Sequence, residues 1–353
     1  MEVNLVIAIA IFLGSAVAVI FFGNLLAKYG DALASLTGLG RLFVGSILVA
    51  LATSLPELST NISAVQLVPP NPELALGNVL GANMVNMFTL AIVALIFGGK
   101  RFLQKVAPEQ GYLIVLAAIM TGLAVLFATV KVDLSVWQIG LSSILLLVVY
   151  VVGMRIVYVK RPEVTEDERD DPGMTLTRAW VMFGLVSVGV IIAGFFLAFS
   201  VDRIAEITGV ASSTLGILAV SIVTTMPEAA ATIAAARIGA ADLGIANLYG
   251  SCVFNVTILA FADPFYREGV LSSQSDPAHI IAGLIAILLI LVGLVLIMGR
   301  DRIHRFLAMS GLMIMAGIYI AGAVVVATLG APESDAINQN IQDESDQSSI
   351  SQL

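Results

Sequence analysis

The sequence predicts an all-α polytopic membrane protein, with ten transmembrane helices forming two inverted five-helix repeats. Three observations lead there: apolar runs long enough to cross a bilayer, charge confined largely to the stretches around them, and a short motif that returns after 171 residues. Of the 353 residues, 59% are hydrophobic and 12% are charged, whereas soluble domains average about 25% charged. That deficit, with a mean hydropathy of +1.00, places the body of the chain in lipid.

A helix needs about 20 apolar residues to cross about 30 Å of hydrocarbon. Ten segments meet this, at roughly 3–27, 40–67, 73–98, 111–130, 135–158, 178–201, 212–237, 243–262, 278–298 and 304–328. They are expected to be helical because backbone groups in lipid must be paired within the segment. The first has no positively charged region before it and no clear cleavage site, so it reads as a span and not as a removable signal. A charged linker, 160–177, separates the first repeat (1–159) from the second (178–330), and an acidic tail, 331–353, is predicted to be disordered. Residues 163–171 and 333–346 carry 11 of the 25 acids, so the net charge of −8 does not describe the membrane body, and no basic surface for nucleic acid is present. With 2 His and 1 Cys, structural zinc, haem and disulfide frameworks lack raw material. Cys252 reads as a small core residue.

Lys and Arg set the orientation. With the N-terminus outside, the loops facing the cytoplasm hold fourteen of them, including Lys100, Arg101, Lys105, Lys160 and Arg161, against Lys131, Arg203 and Arg267 on the other side. Both termini are therefore expected outside the cell or in the periplasm, in a chain of the plasma (cell inner) membrane.

Thr53-Ser54-Leu55-Pro56-Glu57 returns as Thr224-Thr225-Met226-Pro227-Glu228, and Asn78, Gly81 and Asn86 return as Asn247, Gly250 and Asn255 after 169 residues. Each copy holds five spans. An odd number forces the second copy to enter the membrane from the opposite face, the plan of many secondary transporters.

Glu57 and Glu228 alone among the acids fall deep inside apolar spans. A charge at mid-helix costs about 2.5–3.5 kcal/mol on insertion scales, and such residues mark ion pathways. Pro56 and Pro227 each lack a backbone N–H, so both helices are expected to kink or break there and release carbonyls around 51–53 and 222–224. Those carbonyls, the hydroxyls of Thr53, Ser54, Thr224 and Thr225, and the two carboxylates make an oxygen inventory suited to a hard cation, which wants about 6–8 oxygens. Asn78 and Asn86 are eight residues apart, as are Asn247 and Asn255, so each pair shares a broad helix face. Buried amides need partners; Asn86 and Asn255 are assigned to the site, Asn78 and Asn247 to supporting hydrogen bonds. Gly77 with Gly81, and Ala246 with Gly250, read as close helix packing. Glu73 and Asp242 read as acids at helix starts. No phosphate loop, His-Glu-x-x-His or Gly-x-Ser-x-Gly is present, so the chain has no kit for an ATP-driven pump or a membrane hydrolase and is not expected to be an enzyme.

The paired Thr-Ser-Leu-Pro-Glu and Thr-Thr-Met-Pro-Glu segments, each followed by a Gly-(Ala/Ser)-x-x-x-Asn element, resemble the two alpha repeats of the Ca²⁺/cation antiporter superfamily, most closely prokaryotic sodium/calcium exchangers. The resemblance implies Ca²⁺ between Glu57 and Glu228, Na⁺ or Ca²⁺ on the oxygens of Thr53, Ser54, Thr224 and Thr225, and Ser251, Asn255 and Asn86 as further ligands. It departs at Ala82, where a serine is expected, and at Asn255, where some members carry Asp, which weighs against potassium coupling. It implies antiport of Ca²⁺ against Na⁺ by alternating access, with the transported ions as the only ligands and no cofactor. Spans 2, 3, 7 and 8 would form the core, and spans 1 and 6 would move across it. A proton/calcium antiporter, a cation channel and a non-transporting scaffold are the alternatives. Proton-coupled members usually lack the proline before the glutamate. Stoichiometry, ion affinity and oligomeric state are not legible.

Overall fold

The computed structural model describes residues 4–162, 172–208 and 220–329. Numbered in chain order, its long helices are α1 (Leu5–Thr37), α2 (Gly40–Gln66), α3 (Pro72–Ile96), α4 (Gln110–Val130), α5 (Leu141–Val159), α6 (Leu176–Thr208), α7 (Met226–Arg237), α8 (Ala241–Ala262), α9 (Pro277–Met298) and α10 (Arg305–Leu329). All except α7 are long and apolar enough to cross a membrane. Helical residues 220–224 and a turn at Thr225 lead into α7. The predicted start of that span (212–219), most of the predicted linker (163–171) and the predicted tail (331–353) lie outside the described residues.

Two lengths differ from the sequence expectation. α1 and α6 occupy equivalent places in the two repeats, and each runs for 33 residues. At about 1.5 Å per residue each is about 50 Å long, well beyond the hydrocarbon, and such an excess is taken up by tilt or by ends that project into the headgroups. Lys28 and Asp31 on α1 hid this extension, because a charge reads as a span end. The predicted fifth span also starts late: residues 135–140 form a two-stranded antiparallel ribbon, Ser135–Val136 against Ile139–Gly140, before α5 begins.

Local chemistry fixes the helix starts. Asn71 caps α3 by accepting a hydrogen bond from the Leu74 N–H (2.9 Å), with Pro72 in the first turn. At α9 the Asp276 carboxylate accepts from the His279 N–H, and the Asp276 N–H donates to His279 Nδ1, so His279 serves a helix start. Glu73 and Asp242 lie in the first turns of α3 and α8. Asp242 additionally accepts from the Ala107 N–H at 2.7 Å, tying α8 to the connection between α3 and α4.

The packing repeats crosswise. α8 is almost wholly buried, with α2, α3, α4, α5 and α7 around it, and α3 lies against α2, α7, α8, α9 and α10. α1 and α6 pack against each other; α1 also covers α7, and α6 covers α2. Two large apolar clusters result. One joins α3, α4, α8 and α9 through Leu80, Met84, Met120, Leu248 and Ile290. The other joins α1 and α6 to α2 and α7 through Leu26, Leu33, Val49, Val190 and Ala234. Outward faces carry exposed Val17, Phe21, Val181, Leu185 and Val324, which suits contact with lipid.

Candidate cation site

Glu57 on α2 and Glu228 on α7 are both 0% exposed. Pro227 and Glu228 occupy the first turn of α7, just after the turn at Thr225. This is the break expected in the second repeat. In the first repeat there is no break: α2 continues as helix through Pro56, and its irregularity in hydrogen bonding lies earlier, in a π-helical stretch, Val44–Val49. Proline removes only one hydrogen bond, that to the Ala52 carbonyl, and its neighbours hold the helix together. The π turn has its own cause in packing. It presses the backbone of Ser46 onto Gly250, where an added Cβ would lie 2.5 Å from the Ser46 carbonyl oxygen, and Gly45 against the Leu243 carbonyl. Gly250 is glycine because nothing larger fits beside that widened turn. Gly81, its equivalent, faces Ser221 just as closely.

Hydrogen bonds across the repeats hold the site. Thr53 Oγ1 donates to Asn247 Oδ1 at 3.3 Å, and its counterpart Thr224 donates to Asn78 Oδ1 at 3.2 Å. Each threonine of one repeat thus grips the asparagine of the other. Asn247 also donates to the Glu228 carbonyl oxygen (3.2 Å) and to Thr232 (3.1 Å), fixing the start of α7. The next pair is asymmetric. Ser54 Oγ donates to Glu228 Oε1 at 2.7 Å, with Ser251 also in reach of that oxygen at 3.4 Å and of Ser54 at 3.1 Å. Thr225 turns back to the Ser221 and Ile222 carbonyl oxygens and meets no carboxylate. Ala82, fully buried, brings no hydroxyl.

Several buried oxygens remain without a hydrogen-bond partner: both of Glu57, Oε2 of Glu228, and the side-chain oxygens of Asn86, Asn255 and Asn61. Among the described residues, no ion pair joins Glu57 or Glu228 to Lys, Arg or His. The amide nitrogens of Asn78 and Asn86 are unpartnered as well. Buried acceptors with neither donor nor counter-charge are costly, and the carboxylate and amide oxygens among these atoms suit a hard cation.

Three parts of this assembly are not marked by the repeated motif. Asn83 donates to Thr121 Oγ1 and to the Cys252 carbonyl, and accepts from Asn255; its position in the motif was visible, but its register differs from the repeated asparagines. Ser221 donates to the Asn78 carbonyl at 3.4 Å. Gly194 of α6 lies over both prolines: a Cβ there would overlap Pro56 Cγ and come within 3.8 Å of Pro227 Cγ.

Known proteins share this fold. The chain superimposes on the sodium-calcium exchanger NCX_Mj soaked with 2.5 mM Na⁺ and 10 mM Sr²⁺ with a TM-score of 0.68, at 16% identity, covering 91% of this chain and 99% of that one. The same protein soaked with 10 mM Na⁺ and no Ca²⁺ gives 0.66 at the same identity and coverage. The inner membrane protein YrbG of Escherichia coli (strain K12) is 22% identical over 260 residues, 72% of this chain and 78% of YrbG. The family described as sodium/calcium exchanger protein matches residues 7–159 and 178–328, one block in each repeat. The chain is therefore a multi-pass membrane protein that belongs to the sodium/calcium exchanger family of cation transporters.

Proposed function

We propose that the chain is a secondary antiporter that exchanges Ca²⁺ for Na⁺ at one site between its two repeats. The observation that carries this reading is the pair of fully buried carboxylates, Glu57 and Glu228, with unpartnered oxygens and, among the described residues, no cationic side chain paired to either. Two negative charges balance one divalent ion; unloaded, they repel each other, which disfavours an empty closed state. Ser54, Ser251, Asn86 and Asn255 supply neutral oxygens to the same ion or to Na⁺, while Thr53, Thr224, Asn78 and Asn247 hold the two repeats in register. The test is ⁴⁵Ca²⁺ uptake into vesicles containing purified protein, with sodium and pH gradients imposed separately. Uptake driven by sodium alone supports the reading, and uptake driven by pH alone overturns it. Two observations favour the proton-coupled alternative: Thr225 turned to the backbone and the missing hydroxyl at Ala82 both thin the neutral ligand set.

The layering supports alternating access as the mode of exchange. α1 and α6 form a pair whose cluster is separate from the main core, and small residues line its contacts. Gly23 of α1 would meet the Ala230 Cβ at 2.8 Å if it carried a Cβ of its own. Such a smooth interface lets the pair slide and open the site to one side at a time. Gly194→Val should then slow ⁴⁵Ca²⁺ uptake at least about fivefold, since overpacking costs about 1–3 kcal/mol, here against both prolines. An unchanged initial rate at equal protein per vesicle would remove Gly194 from the moving interface.

Both termini are placed outside by the Lys/Arg asymmetry, which puts the ribbon at Ser135–Gly140 outside and Gln104 in the cytoplasm. The single native cysteine, Cys252, is buried and gives little background. In intact cells an impermeant maleimide should label Trp137→Cys and spare Gln104→Cys. The reverse pattern would invert the topology.

A further inference from the structure

Two asparagines behind the site, Asn83 and Asn255, have a forced polarity. The Cys252 carbonyl only accepts, so the Asn83 atom that faces it at 3.2 Å is the amide nitrogen. The other terminal atom of Asn83, its oxygen, therefore faces Asn255. Asn255 meets it with its own nitrogen at 3.2 Å, and this turns Asn255 Oδ1 away from Asn83. That oxygen is buried and has no partner. It lies one helical turn after Ser251, whose hydroxyl reaches Glu228.

The repeat symmetry shows what Asn83 adds. Asn86 is the equivalent of Asn255, and the equivalent of Asn83 is Cys252. A thiol is a weak donor, and the Cys252 Sγ lies 4.0 Å from the Asn83 carbonyl oxygen. The terminal atoms of Asn86 meet no oxygen or nitrogen partner and have only that thiol beside them. One amide of the pair is anchored by a strong partner, and the other faces a weak one.

We propose that Asn83 is a positioning residue that presets the Asn255 oxygen as a cation ligand, an inference that rests on the exchange reading above. It also explains the amide at position 255. A carboxylate there would set oxygen against the Asn83 oxygen, which cannot rotate away without facing the Cys252 carbonyl. Asn83 thus keeps the site at two carboxylates. Asn86, held only by the weak Cys252 thiol, is left to adjust between ion loads.

A double-mutant cycle tests this in vesicles, with half-saturating Ca²⁺ and maximal rate measured separately. Asn83→Ala removes the anchor, and Asn83→Leu removes it while filling the volume, which covers the case in which the smaller side chain impairs folding. Either should raise half-saturating Ca²⁺ about tenfold with Asn255 present, in line with coupling between contacting residues. In the Asn255→Ala background the same change should have less than about a twofold effect. The Ca²⁺-induced rise in melting temperature of the detergent-purified protein should follow the same pattern, which gives a readout independent of transport. An equal factor in both backgrounds would overturn the positioning role while leaving the exchange reading intact. A wild-type protein that neither takes up nor is stabilised by Ca²⁺ would overturn the exchange reading, and this inference with it.

Discussion

Glu57→Gln and Glu228→Gln should each abolish Ca²⁺ transport while leaving the folded protein in the membrane. Glutamine keeps the shape of the side chain and removes one of the two charges. At about 4 Å and an effective dielectric near 20, a unit charge and a divalent ion attract by about 8 kcal/mol. Part of that is returned because a neutral amide costs less to bury. A net loss above about 2 kcal/mol still remains, by the usual scale for charged contacts, and weakens Ca²⁺ binding at least about thirtyfold. The two variants should differ in stability. Glu228 Oε1 already accepts from Ser54 and Ser251, so its glutamine inherits hydrogen bonds made for a carboxylate. Neither oxygen of Glu57 has a partner, so Glu57→Gln relieves an unpaired charge and should melt at the same temperature as the wild type or higher without Ca²⁺. The check is ⁴⁵Ca²⁺ uptake alongside the melting temperature in detergent. Near-normal exchange in either folded variant would remove that residue from the centre of the site.

The repeat made much of this legible before any coordinates. An acid preceded by proline, found twice at equivalent places in apolar spans, identifies the two helices that bring the carboxylates to the site. The crosswise pairs Thr53–Asn247 and Thr224–Asn78 join residues the repeat had already matched. What stayed hidden depends on contacts between segments far apart in the chain. Gly194 is one glycine among 31, and only the convergence of Pro56 and Pro227 on it gives it a role. The π turn at Val44–Val49 answers to the absence of a side chain at Gly250, which no local propensity at 44–49 reveals. Proline chemistry predicted a kink or a break in α2, and no break occurs, because packing from both sides holds the helix around Pro56. The symmetry is also incomplete. Ser54 reaches a carboxylate and Thr225 does not, although the motif treats them alike. Threonine carries a methyl group and readily bonds back to the carbonyl three or four residues earlier, and that local bond wins.

Replacing sodium with choline should stop Ca²⁺ accumulation by vesicles that were loaded with sodium, and an imposed pH gradient should not restore it. The ligand set is the reason. A proton needs only a carboxylate, whereas Ser54, Ser251, Asn86 and Asn255 offer neutral oxygens that serve a metal ion and add nothing for a proton. Sodium balances the two carboxylates without protonating them, so the hydrogen bonds from Ser54 and Ser251 to Glu228 persist in both loaded states. Exchange of three Na⁺ for one Ca²⁺, the ratio the family resemblance implies, also moves one net positive charge with the sodium. One charge crossing 100 mV is worth about 2.3 kcal/mol, or about fiftyfold in the Ca²⁺ ratio at equilibrium. As three Na⁺ leave a vesicle and one Ca²⁺ enters, positive charge leaves with them. An inside-positive potential, set with valinomycin and external potassium, should therefore raise Ca²⁺ accumulation, and an inside-negative one should lower it. Accumulation that follows sodium but ignores potential would leave exchange standing with two Na⁺ per Ca²⁺. Accumulation unchanged in choline and driven by pH would assign Glu57 and Glu228 to protons, with Ala82 and Thr225 as the positions where this chain had given up its sodium ligands.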